Sequence, residues 1–254
     1  MVTQSPSEQA SAARRKPPRL SLRHALFLDF DGTLVDIAES PSAVTVPDWL
    51  PALLMRMQIF LGGAVAVVSG RPLADLVSYL APADMDFVAE HGAVMKRRGK
   101  SAAVQESVWP QSWHARLGQF TADYPGTVIE QKSSSIALHF RRAPEARDAA
   151  FQLLNSLVRD TAGGFEVLPA KMAYELKLAS MSKGKAITAL MAEEPYRRRI
   201  PVFAGDDVTD EDGFTAVEAM GGIALRVDST FGGQPQRVRA WLAGEIGMQG
   251  VAVA

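Results

Sequence analysis

The sequence contains no cysteine, which excludes a disulfide framework, a thiolate metal site and a cysteine nucleophile. It also carries almost no net charge, since 27 Lys and Arg residues are balanced by 28 Asp and Glu residues. A balanced chain has no global attraction for nucleic acid or an anionic membrane, so we expect neither as a partner. The lack of cysteine is consistent with a reducing compartment, and we predict a cytoplasmic protein.

Long hydrophobic runs are also missing. A transmembrane helix needs about 20 consecutive apolar residues, but Asp29, Asp31 and Arg71 interrupt the longest apolar segments. Residues 1–22 are rich in Ser, Ala, Gln and Pro and include several basic residues. We interpret them as a mobile tail and not as a cleaved signal, with a basic anchoring arm as the alternative.

What is present is an alternation of strand and helix patterns. The 254 residues, 47% of them hydrophobic, suffice for one large core or two smaller ones. Apolar strands alternating with amphipathic helices are typical of a parallel sheet covered on both faces. The predicted strands of this kind are 25–30, 64–68, 86–89, 200–204 and 222–227, and the predicted helices are 48–61, one from 72, one from 183, one after 210 and one near 235–244.

The middle of the chain follows another pattern, with alternating apolar and polar residues that indicate half-exposed antiparallel strands. We therefore predict an α/β fold: a Rossmann-like core of residues 23–103 and 180–254, its parallel sheet flanked by helices, with an inserted α+β unit over 104–179. The elements predicted in the insert are a strand near its start, helices at about 112–123 and 144–160, and strands at 126–131, 135–140, 165–168 and 173–178.

Acidic residues follow two of the predicted buried strands. Catalytic groups in open α/β sheets gather outside the carboxyl ends of the strands. Asp29 and Asp31 follow the first strand, where two carboxylates at i and i+2 repel each other unless a cation lies beside them. Asp206 follows the strand 200–204, too early to serve the next helix, and lies where a metal ligand would. Asp210, by contrast, suits an ordinary helix start.

Two further segments lie at predicted helix starts. The Ser69-Gly70-Arg71 turn offers a hydroxyl and free backbone N–H groups, which can hold an anion, although Ser-Gly is also a common turn. Lys183 begins another helix, where it either neutralises a bound phosphate or is simply solvated. Taken together, the segments predict a carboxylate nucleophile, a phosphate cradle and an oxygen-liganded divalent cation, for which Mg²⁺ is the natural choice. Phosphoryl transfer through an aspartyl phosphate is the reaction that such a site favours.

The order and spacing of these segments resemble the haloacid-dehalogenase superfamily. Within it, the resemblance is to the trehalose-6-phosphate phosphatases, over about residues 25–225. The matching stretches include Leu-Asp-Phe-Asp-Gly-Thr-Leu, Val-Ser-Gly-Arg-Pro, Ala-Glu-His-Gly-Ala and Gly-Asp-Asp-x-Thr-Asp-Glu. The resemblance implies a nucleophile (Asp29), a general acid and base (Asp31), a catalytic lysine (Lys183), phosphate ligands (Ser69, Gly70, Lys183), metal ligands (Asp29, Asp206 and Asp31, the last through its backbone carbonyl) and supporting carboxylates (Asp207, Asp210).

The resemblance also implies that the insert is a cap over the active site, which selects the second glucose of trehalose 6-phosphate. The expected sugar contacts are Glu130, Lys132, His139, Arg141 and Glu175, with a solvated sheet face as the alternative. We expect His139 and Arg141, two residues apart, to share one strand face. For His91, a structural hydrogen bond and a substrate contact are equally open.

Three functions remain in competition at this point. The first is a Mg²⁺-dependent trehalose-6-phosphate phosphatase. The second is a relative acting on another sugar phosphate, such as a sucrose-phosphate phosphatase or a phosphomannomutase. The third is a non-catalytic sugar-phosphate sensor, which the presence of all the expected catalytic carboxylates disfavours. The oligomeric state is open, with a monomer as the expectation.

Overall fold

The computed structural model describes residues 16–38, 43–104, 109–131, 135–161, 164–170 and 172–248. In chain order, the strands are β1 (His24–Leu28), β2 (Val65–Val68), β3 (Asp86–Ala89), β4 (Val94–Lys96), β5 (Ala102–Val104), β6 (Val128–Gln131), β7 (Ser135–His139), β8 (Phe165–Ala170), β9 (Ala173–Leu178), β10 (Ile200–Gly205) and β11 (Ile223–Arg226). The helices are α1 (Leu50–Phe60), α2 (Leu73–Leu80), α3 (Gln111–Asp123), α4 (Arg147–Arg159), α5 (Lys183–Met191), α6 (Glu211–Ala219), α7 (Val227–Phe231) and α8 (Pro235–Glu245).

The larger sheet has seven strands in the order β11-β10-β1-β2-β3-β4-β5. The first five in that order run parallel, and β4 and β5 pair antiparallel at one edge. Successive residues of β1 point to opposite faces, so Leu26 and Leu28 enter one hydrophobic core while Ala25 and Phe27 enter another. Helices α1, α2 and α8 cover the first face, and α5 and α6 cover the second. The Rossmann-like core predicted from the sequence is thereby confirmed.

The smaller sheet is antiparallel, in the order β6-β7-β9-β8. Its apolar face packs against α3 and α4, with Ile136, Leu138 and Leu176 buried in a core of their own. The opposite face is polar. In register across it lie Glu130, Ala137 and Glu175, one residue from each of three adjacent strands. This is the second unit of the predicted fold.

The structure departs from the predicted elements at three places. The strand expected at the start of the insert is present as β5, but it pairs with β4 in the larger sheet and not with the smaller sheet. Strand β4 was not predicted, because its three residues are too few for a periodic pattern to show. Helix α7, of five residues, was also missed.

The prediction of a mobile tail over residues 1–22 does not hold for its last residues. Leu20 is buried, and its N–H donates to Oε2 of Glu245 in α8 at 2.7 Å. The indole N–H of Trp241, also in α8, donates to the carbonyl of Pro18 at 3.2 Å. The chain is therefore attached to the core from about residue 18. No helix within the described ranges is long and apolar enough to cross a membrane.

Candidate active site

Three carboxylates meet at the carboxyl edge of the larger sheet. Asp29 follows β1, Asp206 follows β10, and Asp210 lies just before α6. One carboxylate oxygen from each lies within 4.8 Å of the other two. Lys183, the first residue of α5, donates from Nζ to Oδ1 of Asp29 at 2.7 Å and to Oδ1 of Asp210 at 2.6 Å. We call these four residues the acid cluster.

Two glycines, Gly32 and Gly205, leave room for the acid cluster. A Cβ atom added at Gly32 would overlap the carboxylate of Asp206, and Gly32 has a left-handed φ of +74°. A Cβ added at Gly205 would come within 2.5 Å of Oδ2 of Asp210. The same oxygen accepts the backbone N–H groups of Asp206 and Asp207, each at 3.1 Å. The turn after β10 is thus built around the Asp210 carboxylate.

The cluster holds more negative than positive charge. Burial raises the pKa of Asp29 well above its usual value, against the opposing pull of Lys183. Burial, followed by the charges of Asp210 and Asp207, raises the pKa of Asp206 to about 6. Burial alone would lower the pKa of Lys183, but Asp29 and Asp210 reverse that effect and raise it. With all three carboxylates ionised, the one ammonium would leave a net charge of about −2, which a divalent cation would balance.

The carboxyl side chain of Asp31 does not join the acid cluster. It accepts two hydrogen bonds from Arg71, at 2.6 Å from Nε and 2.7 Å from Nη2. The guanidinium lies over the rings of Phe30 and Tyr79, with its carbon 5.6 and 5.3 Å from their centroids. Arg71 was part of the turn identified in the sequence, but nothing in the sequence indicated that it holds Asp31.

The two carboxylates expected to support the metal ligands lie in different surroundings. Asp210, expected to stand behind the metal ligands, is fully buried inside the cluster. Asp207 points elsewhere, accepting the N–H of Val208 at 2.7 Å as the cap of a short helical turn. The buried position of Asp210 had no sequence signal, because an acidic residue at a helix start is ordinary.

Ser69 and Gly70 follow β2, the neighbour of β1, at the same edge of the sheet. Ser69 is buried, and its Oγ accepts the N–H of Arg71 at 3.2 Å. A bend at residues 90–92 packs against this turn. The N–H of His91 donates to the carbonyl of Ser69 at 3.1 Å. This bond is made by the backbone, so both expected roles of the His91 side chain stay predictions.

The polar face of the smaller sheet brings together three of the five expected sugar contacts. His139 Nε2 lies 2.9 Å from Oε2 of Glu130, and Glu175 accepts a short hydrogen bond from Ser135. Lys132 lies outside the described residues. Arg141 is exposed in the turn after β7 has ended at His139, so the expectation that it shares a strand face with His139 was wrong.

Comparison with known proteins identifies the family of this chain. The family model for trehalose-phosphatase matches residues 27–242. A probable trehalose-phosphate phosphatase of Sinorhizobium fredii is 36% identical over 206 residues, covering 80% of this chain and 77% of the relative. The chain belongs to the trehalose-phosphatase family. The family is one of phosphoric monoester hydrolases, and the resemblance stated from the sequence is confirmed.

Other relatives agree with this assignment. The trehalose-6-phosphate phosphatase of Escherichia coli is 35% identical over 212 residues, covering 83% of this chain and 79% of the relative. Among solved structures, the C-terminal domain of the Candida albicans trehalose-6-phosphate phosphatase aligns with a TM-score of 0.70 at 22% identity, covering 90% of this chain and 94% of that one. A haloacid dehalogenase-like hydrolase from B. subtilis aligns with a TM-score of 0.57 at 16% identity. These two structures support the core-and-cap fold.

Proposed function

We propose that this protein is a Mg²⁺-dependent phosphatase that hydrolyses trehalose 6-phosphate to trehalose and phosphate. The observation that carries the proposal is the acid cluster, in which a buried aspartate and a buried lysine face each other beside two further carboxylates. Its position at the carboxyl ends of β1 and β10 is where an α/β fold binds substrate. The substrate in this proposal is inferred from the relatives, which are named as trehalose-phosphate phosphatases.

In the proposed reaction, the carboxylate of Asp29 attacks phosphorus and the bond to the sugar oxygen breaks, leaving an aspartyl phosphate. Lys183 and the Ser69–Gly70 turn hold the phosphoryl oxygens. Bound Mg²⁺, with Asp29, Asp206 and the backbone carbonyl of Asp31 as its protein ligands, would neutralise the charge of the phosphoryl group. Water then hydrolyses the aspartyl phosphate and regenerates Asp29.

Asp31 is the proposed proton carrier. It protonates the departing 6-oxygen of the sugar, then accepts a proton from the attacking water. In the structure its carboxyl group accepts two hydrogen bonds from Arg71. Asp31 must therefore exchange Arg71 for the substrate oxygen before it can act as the general acid.

The proposed cap covers residues 104–179, with a hinge near residues 100–104 and 179–182. A primary phosphate alone cannot distinguish trehalose 6-phosphate from glucose 6-phosphate, so the second glucose must be bound by groups of the cap. Glu130, His139 and Glu175 lie on one polar sheet face, where carboxylate and imidazole groups can bind sugar hydroxyls. Lys132 and Arg141 complete the proposed sugar contacts.

The test is phosphate release from a panel of sugar phosphates, with and without EDTA. We expect trehalose 6-phosphate to be hydrolysed best, EDTA to abolish turnover and added Mg²⁺ to restore it. Asp29→Asn should be inactive, whereas Asp228→Asn, an exposed carboxylate nearby, should be fully active. A beryllofluoride adduct should form on Asp29 of the wild type. Preference for a different sugar phosphate would replace the proposed substrate, and full turnover in excess EDTA would remove the metal from the mechanism.

A further inference from the structure

The bend at residues 90–92 contacts both proposed phosphate-binding segments, the turn after β2 and the start of α5. We propose that this bend positions the phosphate cradle, with His91 as the positioning residue that sets the Ser69–Gly70 turn against the start of α5. This inference rests on the proposed function, because it assigns the same cradle to the phosphoryl group.

The backbone of the bend is strained. Glu90 and His91 have left-handed φ values of 49° and 55°, and Gly92 follows at 104°. Residues other than glycine avoid this region because Cβ crowds the backbone. Two side chains kept in such a conformation indicate that the surroundings hold them there, and strain of this kind clusters at functional sites.

The first set of contacts joins the bend to the turn after β2. The N–H of His91 donates to the carbonyl of Ser69 at 3.1 Å, and the N–H of Glu90 donates to the carbonyl of Arg71 at 3.0 Å. Between these two bonds, the imidazole fills the space in front of Gly70. A Cβ atom added at Gly70 would overlap the ring atoms Cε1 and Nε2 of His91. The ring therefore occupies the space that a side chain at position 70 would need.

The second contact joins the bend to α5. A Cβ atom added at Gly92 would lie 2.7 Å from the carbonyl oxygen of Ser182. Ser182 caps α5 by accepting the N–H of Lys185 at 3.2 Å, and the next residue is Lys183 of the acid cluster. The bend thus contacts the backbone of Ser69 on one side and of Ser182, the residue before Lys183, on the other. In this proposal its shape sets the separation of the two segments.

The variant that tests this arrangement is His91→Gly. Glycine accepts the left-handed backbone and keeps the N–H bond to Ser69, so the fold loses only the ring. We expect the dissociation constant of inorganic phosphate, titrated into the Mg²⁺-loaded protein, to rise about tenfold or more, because a misplaced binding group weakens the site. The value of kcat/KM should fall by the same factor for trehalose 6-phosphate and for p-nitrophenyl phosphate, since both present the same phosphoryl group.

Two further variants separate positioning from general stability. Arg198→Gly removes a left-handed side chain, with φ of 65°, at an exposed position before β10, and should leave phosphate affinity unchanged. Gly70→Ala should weaken phosphate binding because its methyl group displaces the ring. Combined with His91→Gly, it should be no worse than His91→Gly alone, because the ring that it overlaps is gone.

Three results would overturn the inference. Unchanged phosphate affinity in His91→Gly would show that the ring does not set the cradle. A loss confined to trehalose 6-phosphate would make His91 a sugar contact instead. Strictly additive losses in the Gly70→Ala, His91→Gly pair would show that the two positions do not act through each other. If the wild type released no phosphate from any substrate, the proposed function would fail, while the phosphate titrations would still decide the role of the bend.

Discussion

The replacement of Asp206 by Asn should make the metal-free protein more stable while it removes metal-dependent activity. Without a cation, the Asp206 carboxylate shares its surroundings with Asp29 and Asp210. Burial, followed by the charges of Asp210 and Asp207, raises its pKa from 3.8 to about 6, so its charged form is disfavoured in the folded state. An asparagine of the same shape keeps an acceptor for the 3.4 Å hydrogen bond from Thr33 and loses the charge.

The size of the effect follows from the pKa. A rise from 3.8 to about 6 corresponds to about 3 kcal/mol at about 1.4 kcal/mol per pKa unit. Asp206 is only half-buried, so solvent screens part of this, and we expect Asp206→Asn to add about 1–2 kcal/mol to the free energy of unfolding. Because the folded state binds this proton more tightly than the unfolded state, the penalty is fully present above pH 6 and absent below pH 3.8. The gain should therefore be largest near pH 8 and shrink towards pH 4.5.

The assay is urea unfolding of the wild type, Asp206→Asn and the exposed control Asp228→Asn, each in EDTA and in Mg²⁺. In EDTA at pH 8, Asp206→Asn should be the most stable of the three. In Mg²⁺ the wild type and the control should gain stability, and Asp206→Asn should gain little, because a ligand stabilises only the state that binds it. Destabilisation by Asp206→Asn in EDTA, or a gain independent of pH, would refute the electrostatic argument.

Three further predictions test the other parts of the site and fold. Gly32→Ala should lower kcat, measured in steady-state assays, and Mg²⁺ affinity, measured by calorimetry, each by about 100-fold, because the added methyl group displaces the Asp206 carboxylate. Values equal to those of the wild type would contradict this prediction. Glu130→Ala and Glu175→Ala should each lower kcat/KM for trehalose 6-phosphate by about 1–3 kcal/mol in transition-state terms and leave p-nitrophenyl phosphate hydrolysis nearly unchanged; equal losses on both substrates would point to folding or closure. Tyr196→Phe should lower the free energy of unfolding by about 1–3 kcal/mol with kcat unchanged, because its hydroxyl donates to a buried aspartate, Asp86, at 2.8 Å; an unchanged denaturation midpoint would show that this bond contributes nothing.

The parts of the site that follow strand ends were predictable from the sequence. The apolar runs before Asp29, Ser69 and Asp206 indicated buried parallel strands, and parallel strands bring their carboxyl ends to one edge. That geometric rule places the three residues at one edge without further information. The alternation of strands and helices was sufficient for the fold class for the same reason.

Other features depend on tertiary contacts that leave no local pattern. Asp210 has the sequence context of a helix-start residue, and only the fold shows that it pairs with Lys183 in the interior. The hydrogen bonds from Arg71 to Asp31 join residues that are 40 positions apart in the sequence. In the cap, Arg141 follows a strand whose pairing ends two residues earlier, and strand ends are set by partner strands more than by local preference.

The strand order of the larger sheet has a consequence for how the chain folds during synthesis. Strand β1 lies between β2 and β10, but β10 is made about 170 residues later, after the whole of the smaller sheet. The smaller sheet is built from one continuous stretch of chain and can complete its pairing as it leaves the ribosome. During that interval β1, apolar along almost its whole length, has one unpaired edge. The strand that precedes the proposed nucleophile therefore presents an unpaired edge to other chains during synthesis, which is an aggregation hazard until β10 has been made.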